Sequence, residues 1–448
     1  MSDTNINQDI GQQLLSYCKD DIFSQDKQSD LYGIRLGAYE LFKKHGLPTS
    51  KNENWKYTNI SQKLKKIPES TSDSPVPLNL NNFINNFDIM RKLKDTNDTV
   101  LVFMDGSLQM QLSIIDKNLK NIEIVSLKND VPEWALEIIS DKHSENTNEI
   151  FNLNTVLMQD GALINIKENN GKTDNIYIVH VGNNNGFFNY RHVINIQDSA
   201  RVNVTELKIS NKSDICALYT SSIIWKIGDN SIVNNVKYQA HNQLTVGFNQ
   251  QYADVGNNAE FNSFTISSGS KLLREFRSVS CNGSRSDISI SGINLLDGDS
   301  HIDTSLLVRH KAPNSTSREK YRSILNDNSR GVFQGNIIVD QDAQKTIAKQ
   351  SIDALILSNH AEHDAKPELE IYADDVQCGH GATTGQISLE SLFYLKSRGI
   401  PEEEARSLLI QAFLLEALDE IKDRSAIKIF GDVMNNILNR VSKGSLHV

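Results

Sequence analysis

The sequence reads as a mainly β protein built from stacked turn-and-strand units with helical segments at both ends. Between about residue 150 and about residue 387, short β-branched runs are punctuated by Asn, Asp, Gly and Ser, the composition of strands separated by tight turns. Within that stretch QDSARVNV, GDNSIVNNV, GNNAEFNSF and GSRSDISI each place a turn cluster ahead of an alternating run, and they begin roughly 27 to 31 residues apart. No helical pattern intervenes. Recurring units of this kind signal a solenoid, in which each coil buries its inner face on the next. An antiparallel sandwich would space its strands similarly and stays open at this point.

The N-terminal part, residues 1–150, reads as a mixed α/β domain. From about residue 8 to about residue 95 it is helical and polar, with a stripe of Leu31, Ile34, Leu36, Tyr39, Leu41 and Phe42 ended by Gly46 and Pro48. The Ser/Pro-rich run Glu69 to Pro77 reads as a loop, and Val100 to Phe103 and Ile122 to Leu127 as short strands. Residues 151–387 form the β core, and residues 388–448 turn helical again. Ser388 suits the N-cap of a helix carrying Leu389, Leu392, Phe393 and Leu395, which Gly399 ends. Pro401 suits the first turn of a second helix, where Glu402, Glu403 and Glu404 match the helix dipole. That helix carries two apolar stripes, Ala405, Leu408, Leu409, Ala412 and Phe413 on one and Ile410, Leu414, Ala417 and Ile421 on the other. One docking face needs only one stripe. A third helix with Phe430, Val433, Met434, Ile437, Leu438 and Val441 can cover the second, or it is kept for a partner.

The bulk properties exclude several classes of function. The 448-residue chain has 23% charged and 38% hydrophobic residues and a net charge of -10, against a nucleic-acid or anionic-membrane surface. The start MSDTNINQDIGQQ has neither the basic nor the apolar region of a secretory signal. The longest apolar stretch, Leu408 to Leu418, is broken by Gln411 and Glu416 and falls short of the roughly 20 residues that span a bilayer. A cytoplasmic location is expected. Cys18, Cys216, Cys281 and Cys378 are scattered with no C-x-x-C, so a partner must supply ligands to any cluster handled here. No G-x-x-x-x-G-K-[ST] loop occurs, and ATP hydrolysis is not expected of this chain.

The densest chemistry lies in Lys366 to Gln386, KPELEIYADDVQCGHGATTGQ. Leu369, Ile371 and Ala373 alternate with Glu368, Glu370 and Tyr372, the period of a strand with one buried face. Cys378 and His380, two apart, point to one side of an extended segment. Thiolate and imidazole suit zinc, copper or iron, yet two ligands are half a site. His360, Glu362, His363 and Asp364 form a second group, read as a polar loop before the final strand. His310 sits among Ser315, Thr316 and Ser317, good local hydrogen-bonders, without the G-x-S-x-G elbow of a hydrolase. Trp55 and Tyr57 read as packing anchors rather than a binding platform.

The Lys366 to Gln386 run resembles the C-terminal signature of the SufB/SufD family of iron–sulfur cluster assembly proteins, on its SufD side. Further segments agree: Phe393-Tyr394-Leu395, Ser397-Arg398-Gly399-Ile400, Val332 to Gln350, His310 with Ala312, Pro313 and Ser317-Arg318, and Glu53-Asn54-Trp55-Lys56-Tyr57-Thr58. Together they run from about residue 50 to about residue 420. The resemblance implies a right-handed parallel β-helix core and a non-catalytic scaffold subunit that pairs with a SufB-type subunit. It implies that His380, with Cys378 beside it, faces a partner cysteine and shares a metal with it during cluster assembly. It also implies that a SufC-type ATPase docks on the helix from Pro401 to about Ile421, where Leu408, Leu409, Phe413 and Leu414 are the expected contacts. The cluster would be held transiently in the complex, with no cofactor bound tightly by the isolated chain, which could form a homodimer. The alternatives are a SufB-like paralogue and a β-helix carbohydrate-active enzyme using carboxylates such as Asp364, Asp374 and Asp375.

Overall fold

The computed structural model describes residues 10–17, 29–70, 92–93, 98–115, 120–141, 148–210 and 213–427. Its strands divide between two facing sheets. The first sheet runs, in spatial order, β2 (Ser107–Leu108), β1 (Thr99–Met104), β5 (Thr173–Gly182), β7 (Arg201–Ser210), β9 (Ile232–His241), β11 (Glu260–Gly269), β13 (Asp287–Leu296), β15 (Thr316–Leu325), β17 (Ile347–Ile356) and β19 (Gln377–Gly385). The second runs β3 (Ile122–Ser126), β4 (Ala162–Ile166), β6 (Gly186–Ile196), β8 (Ala217–Ile227), β10 (Val246–Val255), β12 (Leu272–Cys281), β14 (His301–His310), β16 (Arg330–Val339) and β18 (Glu362–Ile371). Successive core strands therefore switch sheets, and each pairs in parallel with the strand one coil away. This is a parallel β-helix, and the antiparallel sandwich is excluded.

The repeat read from the sequence is the coil itself. Arg201 pairs with Ile232, Ile232 with Glu260 and Glu260 with Asp287, steps of 31, 28 and 27 residues. The four recurring segments are thus β7, β9, β11 and β13 with the turns before them. At each of those turns, and at the two before β15 and β17, one residue takes a left-handed conformation: Ser199, Asn230, Asn258, Arg285, Asn314 and Lys345, with φ between 53° and 61°. Its N–H donates to a carbonyl of the next coil, as from Asn230 to Asn257 at 2.8 Å and from Asn314 to Gln344 at 2.8 Å. Asn tolerates this conformation well, whereas Arg285 and Lys345 adopt it because the stack demands it.

The many asparagines also follow the coil. Asn203 donates to Asn175 at 2.9 Å, Asn234 to Asn203 at 2.9 Å and Asn262 to Asn234 at 3.0 Å, a ladder along one edge of the first sheet. An amide both donates and accepts, so one residue per coil satisfies the next.

Helices clad the outside. α1 (Tyr32–His45), the short α2 (Ile60–Lys63), α3 (Glu133–Ser140) and α4 (Glu149–Leu157) belong to the N-terminal region. α1 and α4 pack through Ala38, Phe42, Ile150 and Leu153 against Leu218, Val246, Phe248 and Leu272 on the outer side of the second sheet. α5 (Leu389–Ser397) is capped by Ser388, whose side chain accepts from the Ser391 N–H at 3.2 Å, and is followed by Gly399 at φ 89°. α6 (Glu402–Leu418) lies across the outer side of the first sheet, with Ile410, Leu414 and Ala417 buried among Val236, Tyr238, Phe264, Ile293 and Ile324. Arg322 of β15 fixes it there: the guanidinium donates to the Phe413 carbonyl, stacks 4.6 Å from the Phe413 ring and pairs with Glu416 at 2.5 Å. Among the described residues no helix is long and apolar enough to cross a membrane.

Five expectations need correction or lie outside the described residues. The docked face of α1 is Ala38 and Phe42, one i, i+4 step apart, with Leu31 just before the helix buried in a separate cluster, while Leu36 and Leu41 face solvent. β1 pairs in parallel with β5 and β3 pairs with β4, so the two strands assigned to the N-terminal domain are built into the ends of the solenoid sheets. Glu362, His363 and Asp364 open β18 rather than forming a loop, since Arg330, Gly331 and Val332 of β16 pair with them. The third C-terminal helix, and residues 71–77 of the Ser/Pro-rich run, lie outside the described residues.

Asn203→Ala removes both ladder bonds made by that side chain and should lower stability by about 1–2 kcal/mol in urea unfolding. Arg322→Ala should leave the solenoid folded while amide hydrogen exchange across α6 accelerates, because the stack and the ion pair both end on that one side chain.

Candidate functional site

The residues singled out by the sequence gather at the last coil. β19 pairs with β17 on one side only; among the described residues no strand occupies its other edge, and β18 likewise ends the second sheet. In a parallel ladder, residues in register point to the same side. Cys378 is in register with Ala348 and then Ser317, and His380 with Gln350 and then Glu319, all positions that face the lumen. Cys378 and His380 therefore crown two lumen columns at the uncapped end.

Their surroundings differ. Cys378 is half-buried against Ile337, Val339, Ala343, Ala348 and Ala373. Burial pushes its thiol above the ordinary range, the Ala348 backbone opposes this, and Glu319 adds to the rise. His380 is exposed. Beneath it both polar atoms of the buried Gln350 side chain, and both carboxylate oxygens of the buried Glu319, have no hydrogen-bond partner among the described residues. Burial raises the Glu319 carboxyl to about 8, so it is largely protonated at neutral pH. Sequence reading passed over Glu319 and Gln350, although stepping back from His380 by 30 and then 31 residues, one coil each, reaches them.

The glycines of this strand are informative by contrast with those inside. A Cβ at Gly247 would collide with the Tyr219 ring, and one at Gly335 with Gln350. At Gly379, Gly381 and Gly385 a Cβ would meet nothing within 4 Å, and none of the three has a left-handed φ. No contact within the described chain calls for glycine there, and each weakens the strand by roughly 0.5–1 kcal/mol relative to Ala.

The Lys-Pro of the same run serves the fold. Pro367 lies in an edge strand, where a missing N–H costs no ladder bond. Lys366 reaches Glu53 at 2.9 Å and Glu368 at 3.0 Å. Glu53 begins the Glu-Asn-Trp-Lys-Tyr-Thr segment, and that segment is an anchor. Trp55 is buried under the Arg274 guanidinium at 4.4 Å. Arg274 pairs with Asp303 and donates to the Asn54 carbonyl at 2.6 Å, and Thr58 bonds to Asp303 and to His301 at 3.1 Å. Tyr57 is only half-buried, with Lys56 over its ring.

The remaining candidates are occupied by local bonds. His310 is fully buried between Ser315 at 2.7 Å and Ser317 at 3.0 Å, and burial lowers it to about 4, so the neutral ring ties its turn to β15. His363 bonds Thr384 at 2.9 Å, Asp364 pairs with Arg330 at 2.7 Å, and His360 lies in the exposed turn before β18. Asp374 and Asp375 lie in the turn between β18 and β19. Among the described residues no group of three His, Cys, Asp or Glu is placed to hold a metal, and Cys216, Cys281 and Cys378 are free thiols. On α6 the expected contact residues separate: Leu414 is buried in the sheet contact and Phe413 is engaged by Arg322, while Leu408 is exposed and Leu409 half-buried. Leu389, Phe393 and Tyr394 of α5 are exposed with Leu408 and Leu415.

A two-sheet parallel β-helix with a cysteine and a histidine on its open final coil defines the class of protein. Comparison with known proteins then gives the family. Residues 178–413 match the description "SUF system FeS cluster assembly, SufBD core domain", and residues 11–178 match "SufBD protein N-terminal region". The chain is 29% identical over 384 residues to the iron–sulfur cluster assembly protein SufD of Escherichia coli (strain K12), covering 84% of this chain and 86% of that one. A SufBD family protein of Synechocystis sp. is 27% identical over 427 residues, 92% of each chain, and SufD of Bacillus subtilis (strain 168) is 24% identical over 417 residues, 89% of this chain and 92% of its own. The chain belongs to the SufB/SufD family, and membership supports a role in Suf iron–sulfur cluster assembly.

Glu319 generates a pH prediction. Its folded pKa lies above the value of 4.5 expected when unfolded, so its contribution to stability is complete below that value and is lost as pH rises through about 8. The thermal midpoint should fall across this window, and Glu319→Gln should flatten the profile; an unchanged profile would mean that the carboxyl titrates normally.

Proposed function

We propose that this chain is a cytoplasmic, non-catalytic scaffold subunit that pairs through β18 and β19 with a SufB-type subunit and carries a SufC-type ATPase on α5 and α6. The observation that carries the pairing is the Gly379, Gly381 and Gly385 strand at an unpaired sheet edge. An unpaired edge presents a row of backbone donors and acceptors, and glycine lets a second backbone approach it closely. Cys378 and His380 would then face the partner. A neutral imidazole ligates iron, and a partner thiolate supplies what the half-site lacks. The cluster is cargo of this interface, held while it forms, and the isolated chain is expected to keep no metal and to dimerise through the same edge.

The SufC-type contact is supported by the exposed Leu389, Phe393, Tyr394, Leu408 and Leu415. Leu414 is buried against the sheet, so in this reading the docking would use the outer stripe of α6.

Co-expression with the SufB- and SufC-type proteins of the same source, followed by mass determination, tests the reading. A three-component complex is expected, and an isolated chain would remove it. Gly379→Ala combined with Gly381→Ala should leave the isolated chain at least as stable yet weaken pairing about tenfold or more. His380→Ala should preserve the complex and lower cluster yield by absorption, and Phe393→Asp should release the ATPase while the SufB-type subunit stays bound.

A further inference from the structure

The lumen holds a group of polar residues that the assembly role does not use. At the N-terminal coils, His180 of β5 and His192 of β6 meet across it, Nε2 to Nε2, at 3.0 Å. Both are neutral because burial disfavours the imidazolium, lowering His192 to about 3 and His180 well below the ordinary histidine range. Their tautomers follow from the hydrogen bonds. The Ala162 N–H donates to His192 Nδ1 at 2.9 Å, so the His192 proton is on Nε2, from which it donates to His180. His180 must therefore carry its own proton on Nδ1. That N–H is buried and has no acceptor among the described residues, although His180 is only 6% exposed.

His180 lines a cavity of about 50 Å³, above the roughly 10–15 Å³ that a water-sized guest requires. Lys208, in register with His180 one coil along, lines it too, together with Tyr190, Tyr219 and His241. The Lys208 ammonium is held by neutral acceptors, Ser221 Oγ at 2.8 Å and Asn249 Oδ1 at 2.8 Å. The carboxylates nearby are already engaged: Asp105, which also lines the cavity, accepts from the Asn183 N–H at 2.8 Å and the Asn184 side chain at 2.9 Å, Glu275 takes Lys237 at 3.2 Å and Arg277 at 3.7 Å, and Glu206 accepts from Asn235 at 3.3 Å. These middle coils thus bury three cations, Lys208, Lys237 and Arg277, against two carboxylates, Glu206 and Glu275, all at most 3% exposed. Burial opposes the Lys208 ammonium while Glu206 and Glu275 favour it, and two carboxylates leave one of the three buried positive charges unbalanced, which is costly.

We infer that the cavity beside His180 and Lys208 binds a small monovalent anion of halide size, which accepts the His180 Nδ1–H and balances the Lys208 ammonium. A water could accept the same N–H and would leave the charge unbalanced, so the two occupants are distinguishable.

Bromide is the probe. Crystals of the full chain grown in sodium bromide, with data collected at the bromine absorption edge, should show an anomalous peak within hydrogen-bonding distance of both His180 Nδ1 and Lys208 Nζ. In solution at constant ionic strength, replacing the bulky anion gluconate with bromide should stabilise the chain. Well above the dissociation constant, each tenfold rise in bromide should lower the unfolded-to-folded ratio about tenfold. Lys208→Met, which keeps the side-chain length without the charge, should abolish that dependence. Density without anomalous signal means a water and overturns the inference. A bromide peak with no bromide dependence of stability means an adventitious ion only and overturns it as well. The first two readouts need no variant, so a misfolded Lys208→Met does not spare the proposal, and neither depends on the SufB- or SufC-type partners.

Discussion

A parallel coil stack cannot close on itself, and most of the molecule answers to that constraint. Every strand takes half its backbone hydrogen bonds from the coil before it and half from the coil after it, so the two ends are left owing partners. At the N-terminal end the first strands turn antiparallel, with β2 pairing β1 and β3 pairing β4, and helices cover the outer surface. At the other end β19 keeps a free edge among the described residues. Cys378 and His380 sit on that edge strand, where the lumen opens. The chemistry lies where the fold runs out of its own partners.

The lumen is layered rather than uniformly apolar. Val202, Val233, Phe261 and Ile288 form one stacked column that runs on through Ser317 and Ala348 to Cys378, while Lys237, Glu275, Arg277, Gln239 and Asn249 form a polar band beside it. In-register stacking makes such a band tolerable, because a donor on one coil meets an acceptor a fixed distance away on the next. The asparagine ladder follows the same rule. Glu319 departs from it: it is buried without a cationic partner in contact among the described residues, and with its carboxyl raised to about 8 it stays largely protonated at neutral pH.

The flanking regions are tied to the stack by arginines. Arg274 holds Trp55 and Asn54 against the second sheet, and Arg322 holds α6 against the first. Planar guanidinium groups suit this task, since one side chain can stack on a ring, bond a carbonyl and pair with a carboxylate together. Lys366 extends the first of these anchors to the penultimate strand, so the N-terminal segment touches the coil next to the candidate site.

The sequence by itself determined the coil period, the helix ends at Gly46, Ser388 and Gly399, and the pairing of Cys378 with His380 on one side of a strand. Each is a local property, set by turn chemistry, capping or a two-residue alternation. It also supplied the family, through motifs that survive in linear order. Only the tertiary structure decided which stripe of α6 is spent on the sheet, that Val100 to Phe103 belongs to the solenoid, and that Glu319 and Gln350 lie beneath His380. Those facts depend on register between residues about 30 positions apart, and a one-residue change in any turn would move them to the other face. Patterning tells which residues want burial, while the stack alone decides what they are buried against.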